Sequence, residues 1–255
     1  MIDLATLGGD GRPFVFDASR IAAALTAKRA VVLAPHPDDF DAIAVTLHAL
    51  HEQGVELHLA VLTGGASGVD DDYPGADTPE HKRAIRESEQ LESCRRFGLP
   101  AERVSFLRLD EVLRSENFAH DARCDEVRRY LLDRRPELVF MPHGHDTNLT
   151  HQRTWALFST VAQESGLRTW ACLNRDAKTV SMRVDMLTPF GAEAAAWKAD
   201  LLRAHDSQQQ RNMRLRGAGF DERVLELNRL VAREQAGLEA PWAEAFEWVP
   251  FGQAG

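Results

Sequence analysis

Cysteine is scarce and badly spaced for any shared task. Cys94, Cys124 and Cys172 are odd in number and far apart, and no C-x-x-C occurs. That excludes a disulfide framework and a cysteine-type zinc site, and leaves three buried reduced thiols as the expectation. Positive charge is short as well. Thirty Lys and Arg stand against 39 Asp and Glu, a net charge of −9, which argues against nucleic acid as a partner because phosphate binding needs clustered cations. No apolar run approaches the roughly 20 residues of a membrane span. Residues 1–20 lack both the basic start and the apolar centre of a signal peptide, so a cytoplasmic location is expected. Neither G-x-G-x-x-G nor G-x-x-x-x-G-K-[ST] is present. The one glycine-rich loop, Gly64 to Gly68, precedes Asp70-Asp71-Asp72, which would repel a phosphate. Repeats and low-complexity segments are missing too.

What remains is an ordinary globular composition, 44% hydrophobic over 255 residues, enough to bury a core without staples. Short apolar runs alternate with helical patterns. Strands are predicted at 29–34, 55–62, 104–107 and 138–141. Helices are predicted at 19–28, 40–53, 81–97 and 124–133, and from about 151 onward. Strands buried on both faces and separated by helices imply right-handed crossovers and a mainly parallel sheet. After Gly166 two strands, 168–173 and 179–187, joined by Asn174-Arg175-Asp176, read as an antiparallel extension. Helices follow at 192–204 and 221–233. The expectation is a single Rossmann-like α/β domain over 1–255, with an irregular arm at about 1–17. Its aromatic tail at about 241–255 carries Trp242, Phe246 and Trp248, placed to dock on the body or on a neighbouring subunit of a homo-oligomer. The polar stretch 63–79 reads either as a surface loop or as a lid over the strand ends.

Two strand-to-helix turns carry chemistry. The first strand runs into Pro35-His36-Pro37-Asp38-Asp39, and the fourth into Pro142-His143-Gly144-His145-Asp146-Thr147-Asn148-Leu149-Thr150-His151. Open α/β sheets bind ligands beyond the carboxyl ends of their strands, so both turns can share one edge. Hydrolytic zinc commonly takes three protein ligands and leaves one position for water. His36 and Asp39 flank one turn, and His151 opens the helix after the other. Asp38, beside a ligand but free to point elsewhere, is placed to move a proton. Each residue alone also has a structural reading: Asp39 as a helix N-cap, and His143, His145 and His151 as exposed loop histidines.

Pro35-His36-Pro37-Asp38-Asp39 after an apolar strand resembles the signature of the PIG-L/LmbE-type zinc-dependent de-N-acetylases, which include GlcNAc-PI and mycothiol-type deacetylases. Further segments are similar to that family's pattern: Thr63-Gly64-Gly65 after the second strand, Arg86 and Glu89 on a helix closing at Gly98, and the strand from Val104 to Asp110. So are Pro136 to Pro142 followed by Asp146 to His151, and Lys198 with His205-Asp206-Ser207-Gln208. Together they span about residues 29–210. The resemblance implies one Zn2+ per chain held by His36, Asp39 and His151, with Asp38 as the general base. It implies a small N-acylated amino sugar or sugar conjugate as substrate, and places Arg86 where the family directs an arginine into the substrate pocket. From spacing alone Arg86 could equally be an exposed partner of Glu89. The family's H-x-x-H is here Asn148-Leu149-Thr150-His151. An amide at Asn148 can donate a hydrogen bond to an oxyanion but brings no positive charge, and His145 is the residue that could compensate by folding inward.

Two other readings use the same letters. His36, Asp38 and His151 spell the H-x-D…H triad of a non-heme Fe(II) oxygenase, but such triads commonly sit on antiparallel jelly rolls. A non-catalytic sugar-binding protein would explain Asn148, but it has no use for a base at Asp38.

Overall fold

The computed structural model describes residues 13–252 apart from 117, 119 and 120. Most of the expected arm, 1–12, and the last three residues of the expected tail lie outside them. The described elements are β1 (Phe14–Val15), α1 (Ala18–Ala24), β2 (Arg29–Ala34), α2 (Ala44–Glu52), β3 (Glu56–Val61), α3 (Pro79–Phe97), β4 (Val104–Phe106) and α4 (Asp125–Arg134). They continue with β5 (Leu138–Pro142), α5 (Leu149–Ser165), β6 (Thr169–Asn174), β7 (Met186–Phe190), α6 (Ala192–Leu202), α7 (Asp206–Arg216), α8 (Phe220–Glu234) and β8 (Trp242–Phe251).

All eight strands form one sheet in the order β1-β7-β8-β6-β5-β2-β3-β4. β2 shows why helices cover both faces. Successive side chains of a strand point to opposite sides, and all of its residues after Arg29 are buried. Ala30, Val32 and Ala34 face a core with Leu47 and Leu50 of α2 and Phe97 of α3. Val31 and Leu33 face a second core with Leu131 of α4 and Phe158 of α5. β2 pairs in parallel with β3 on one side and with β5 on the other. The strand order therefore reverses at β2, and a crevice opens beyond the ends of β2 and β5.

The C-terminal third departs from the predicted hairpin. The strands at 169–174 and 186–190 do not pair with each other. β6 extends the parallel run beside β5, and β8 lies antiparallel between β6 and β7. The aromatic tail is thus an inner strand. Phe246 and Trp248 are buried in the chain's own core, so they are not free to seat on a neighbouring subunit. β1 adds to the far edge beside β7. Among the described residues no helix is long and apolar enough to cross a membrane.

Candidate active site

His36 to Asp39 occupy a tight turn directly after β2. Its carbonyls are latched from the next strand's exit: Thr63 donates its hydroxyl to the Pro35 carbonyl at 2.7 Å. Gly65 packs behind the turn at φ +63°, and a Cβ there would sit 3.1 Å from the Pro37 ring and 3.3 Å from Arg86 Nε. Gly64 N–H in turn donates to Asp110 at 2.9 Å. Asp38 has φ +120°, a region L-residues rarely occupy and which costs on the order of 1–3 kcal/mol. The surroundings hold it there. Its N–H donates to Gln90 Oε1 at 2.9 Å, and Arg86 donates to its carboxylate at 2.7 Å and to the Pro37 carbonyl.

Both clamps come from α3. Thr78 caps that helix by accepting the His81 N–H, Pro79 opens it and Gly98 closes it at φ +93°. Arg86, Glu89, Gln90 and Ser93 recur at helical spacing and form a buried polar stripe. Arg86 is only 2% exposed. It meets Glu89, as spacing suggested, but inside the protein and together with Asp38.

His151 lies in the first turn of α5, so the helix start aims it across the crevice. Asn148 is the N-cap, its side-chain oxygen accepting the Thr150 N–H at 2.9 Å. The imidazole of His151 is 2% exposed, and its ring centroid is 5.3 Å from that of His36. Asp39 Oδ2 accepts the His36 N–H at 2.8 Å and lies 3.3 Å from His36 Nδ1, while Oδ1 is 3.7 Å from His151 Nε2. One ligand atom from each of His36, Asp39 and His151 falls within 4.8 Å of the others. On the far side of His151, Asp146 Oδ2 takes Nδ1 at 3.2 Å. A carboxylate only accepts, so Nδ1 carries a hydrogen, and Nε2 is the nitrogen that would offer a lone pair to a metal. This carboxylate–histidine arrangement orients metal-binding imidazoles generally, and sequence reasoning missed it.

Burial alone would raise the Asp39 pKa, but the His151 charge and the His36 hydrogen bonds outweigh it and hold the group at about 2. His151 is pushed the other way. Burial opposes its charge, yet the Asp39 and Asp146 carboxylates raise it above the ordinary imidazole value. Two nitrogens and an ionised carboxylate converging on one point suit a divalent metal. The trio that converges contains Asp39, whereas Asp38 is occupied by Arg86, which is not the H-x-D…H arrangement.

These groups line a cavity of about 340 Å³ together with Arg86 and Asn148. His145 does not line it. Its Nδ1 meets Ser181 at 2.8 Å, and His143 is held by Glu247 at 3.2 Å. Of the histidines in that turn only His151 faces the crevice. The loop after β3 forms part of the cavity wall through Gly65, Ser67 and Gly68. It is fastened to α7 by Arg211 and Gln208, which donate to the carbonyls of Ser67 and Gly68 at 2.9 Å each. Ser207 N–H and Oγ donate to Glu89, and His205 pairs with Asp41 at 2.7 Å. The late segment therefore braces the residues that clamp Asp38. Lys198 is fully buried against Glu244, Asn228 and the Ala42 carbonyl, beneath the site rather than in it.

The family model described as GlcNAc-PI de-N-acetylase (PIG-L) matches residues 31–162, just over half of the chain. The chain belongs to this family. It is accordingly an N-deacetylase, a hydrolase acting on amide bonds, in a family whose deacetylases depend on a metal. No curated protein matches the chain in sequence. Among solved structures, the N,N'-diacetylchitobiose deacetylase of Pyrococcus horikoshii, complexed with its inhibitor MPG, superposes with a TM-score of 0.71. It is 19% identical, over 92% of this chain and 88% of that one. A zinc-inhibited form of the teicoplanin deacetylase Orf2 gives 0.62 at 12% identity, over 89% and 100%. The 4-carboxy-2-hydroxymuconate hydratase GalB of Pseudomonas putida KT2440 gives 0.59 at 17% identity, over 89% and 98%. The last of these shows that the fold alone does not decide the reaction; the family match carries the reaction class.

Proposed function

We propose that the protein is a zinc-dependent hydrolase that removes an acetyl or similar small acyl group from the nitrogen of an amino sugar or sugar conjugate. The observation that carries this reading is the convergence of His36, Asp39 and His151 within 4.8 Å beside Asp38. The family's de-N-acetylase description and the chitobiose deacetylase with the same fold support the sugar-like substrate.

His36, Asp39 and His151 would hold the ion, with Asp146 fixing the orientation of His151. Bound there, zinc supplies Lewis acidity toward the acyl oxygen and acidifies a water toward a pKa of about 7. Asp38 takes a proton from the attacking water as its oxygen bonds to the acyl carbon. It then returns that proton to the nitrogen as the C–N bond breaks, releasing acetate and a free amine. Arg86 and Gln90 keep the Asp38 carboxylate and backbone in place for both transfers. Asn148 spends its side-chain oxygen on the helix cap, and its amide N–H is left to donate to the acyl oxygen as charge develops there.

The test pairs metal analysis with an acetate-release screen of N-acetylated sugars and thiol-sugar conjugates. The purified protein should carry about one equivalent of zinc, lost in His36→Ala and His151→Ala, and release acetate from at least one compound. Full turnover by Asp38→Ala on a confirmed substrate would refute the assignment of the base.

A further inference from the structure

The cavity has two chemically different ends. Its floor is the buried group around Asp39 and His151, and its outer wall comes from the 175–178 turn, α7 and α8. That wall carries Arg175, Lys178, Arg211, Arg216 and Arg223, a concentration of cations in a chain whose net charge is −9. Their partners divide them. Glu234 neutralises Arg175 through both guanidinium nitrogens, and Asp70 lies 3.8 Å from Arg211. Arg223 donates to the uncharged side-chain oxygen of Asn212. Among the described residues no carboxylate forms an ion pair with Lys178, Arg216 or Arg223. Asp176 is the one carboxylate on this wall, and it faces both Arg223 and His151.

Burial presses the Arg223 pKa down, and the charge of Arg216, which lines the same cavity, acts in the same direction. Two like charges held together at a cavity wall repel, and a visiting anion relieves that repulsion. Guanidinium groups also present planar paired donors that match carboxylate and phosphate oxygens. Phe220, Val224 and Leu227 fall on one face of α8 and line the same cavity. That apolar stripe suits the C–H face of a sugar ring.

We infer that the substrate carries an anionic substituent, a carboxylate or a phosphate, at the end remote from the scissile amide, and that Arg216, Arg223 and Lys178 bind it at the cavity mouth. Which bond reacts rests on the N-deacylase reading; the anion site does not.

Two arms test it and can fail separately. In the first, glutarate and inorganic phosphate are titrated by calorimetry into the metal-loaded protein at constant ionic strength. The same titrations are made into Arg216→Gln, Arg223→Gln, Arg223→Lys and metal-free His151→Ala. At least one anion should bind, and the preferred one identifies the substituent. Each Gln variant should weaken it roughly tenfold, Arg223→Lys less so, and His151→Ala should still bind it because the cations, not a metal, hold the anion. Arg216 is exposed and carries no internal ion pair, so its variant tests the site without endangering the fold. In the second arm, acetate release is compared for N-acetylglucosamine and for its carboxylated and phosphorylated derivatives. The charged compounds should have at least tenfold lower KM at similar kcat, an advantage that salt erodes. Absence of binding, or equal binding by all the variants, overturns the anion site. Anion binding without acetate release from any compound would instead overturn the deacylase reading and leave the site standing.

Discussion

Gln90 accepts the backbone N–H of Asp38 at 2.9 Å with one end of its amide, and with the other it donates to Asp41 at 3.1 Å. Asp41 is fully buried and is held by His205 and Ser93. A line of neutral and charged groups thus runs from α7 through the interior to a backbone conformation that would not persist unaided. Gln90→Ala should lower kcat about 10²-fold, the usual effect of misplacing a reacting group by about 1 Å, without changing zinc content or KM. Single-turnover kinetics beside metal analysis would read this, and an unchanged kcat would mean that Arg86 alone positions Asp38.

Asp38→Asn should retain the metal and the Arg86 contact on one oxygen, yet lose proton transfer. The expected fall in kcat is on the order of 10²–10⁴-fold. Circular dichroism and metal content should match the parent, which separates lost chemistry from lost structure.

Asp146→Ala removes the group that fixes the tautomer of His151. Zinc affinity should drop roughly 10–100-fold, measured by competition with a chromophoric chelator. Asp146→Asn, whose oxygen can still accept from Nδ1, should recover part of it.

Substitution can separate the helix cap of Asn148 from its proposed donation to the acyl oxygen. Asn148→Asp keeps an oxygen for the Thr150 N–H but loses the amide donor, so stability should hold while kcat falls about 10²–10³-fold. Asn148→Ala should lose the cap as well, at about 1 kcal/mol, visible as a lower midpoint in urea.

Lys198 and Glu244 form an ion pair at 2.7 Å with both side chains 0–1% exposed. Lys198→Met leaves a buried carboxylate without its cation and should cost about 3–5 kcal/mol. Adding Glu244→Gln should return much of that loss, an interaction energy that a double-mutant cycle measures directly.

The first turn was legible because its signal is local: β2 is a continuous apolar run, and the turn and α2 follow at once. The partnership with His151 followed from topology, since two strand ends on one parallel sheet share an edge. That His143 and His145 turn away from the crevice could not be read from letters. It depends on the pairing of Asp146 with Thr179 and on contacts to Ser181 and Glu247, all distant in sequence. α7 escaped notice because it is polar nearly all round, with only Ser207 and Asn212 buried, and so lacks an apolar stripe. Arg86 was placed on its helix with the right neighbour, but spacing says nothing of burial, and its bond to Asp38 spans 48 positions. The hairpin failed for a related reason: adjacent strands of similar character suggest pairing, whereas the strand between them arrives more than 50 residues later.

That late arrival bears on how the chain is made. β6 and β7 leave the ribosome before the segment that joins them, so until β8 is synthesised β7 has no strand partner that connects it to the parallel block built around β2. Contacts of such long sequence separation slow folding and leave unpaired strand edges open to other chains in the interval. A translation pause or cleavage before residue 242 would therefore strand a molecule with its sheet divided in two.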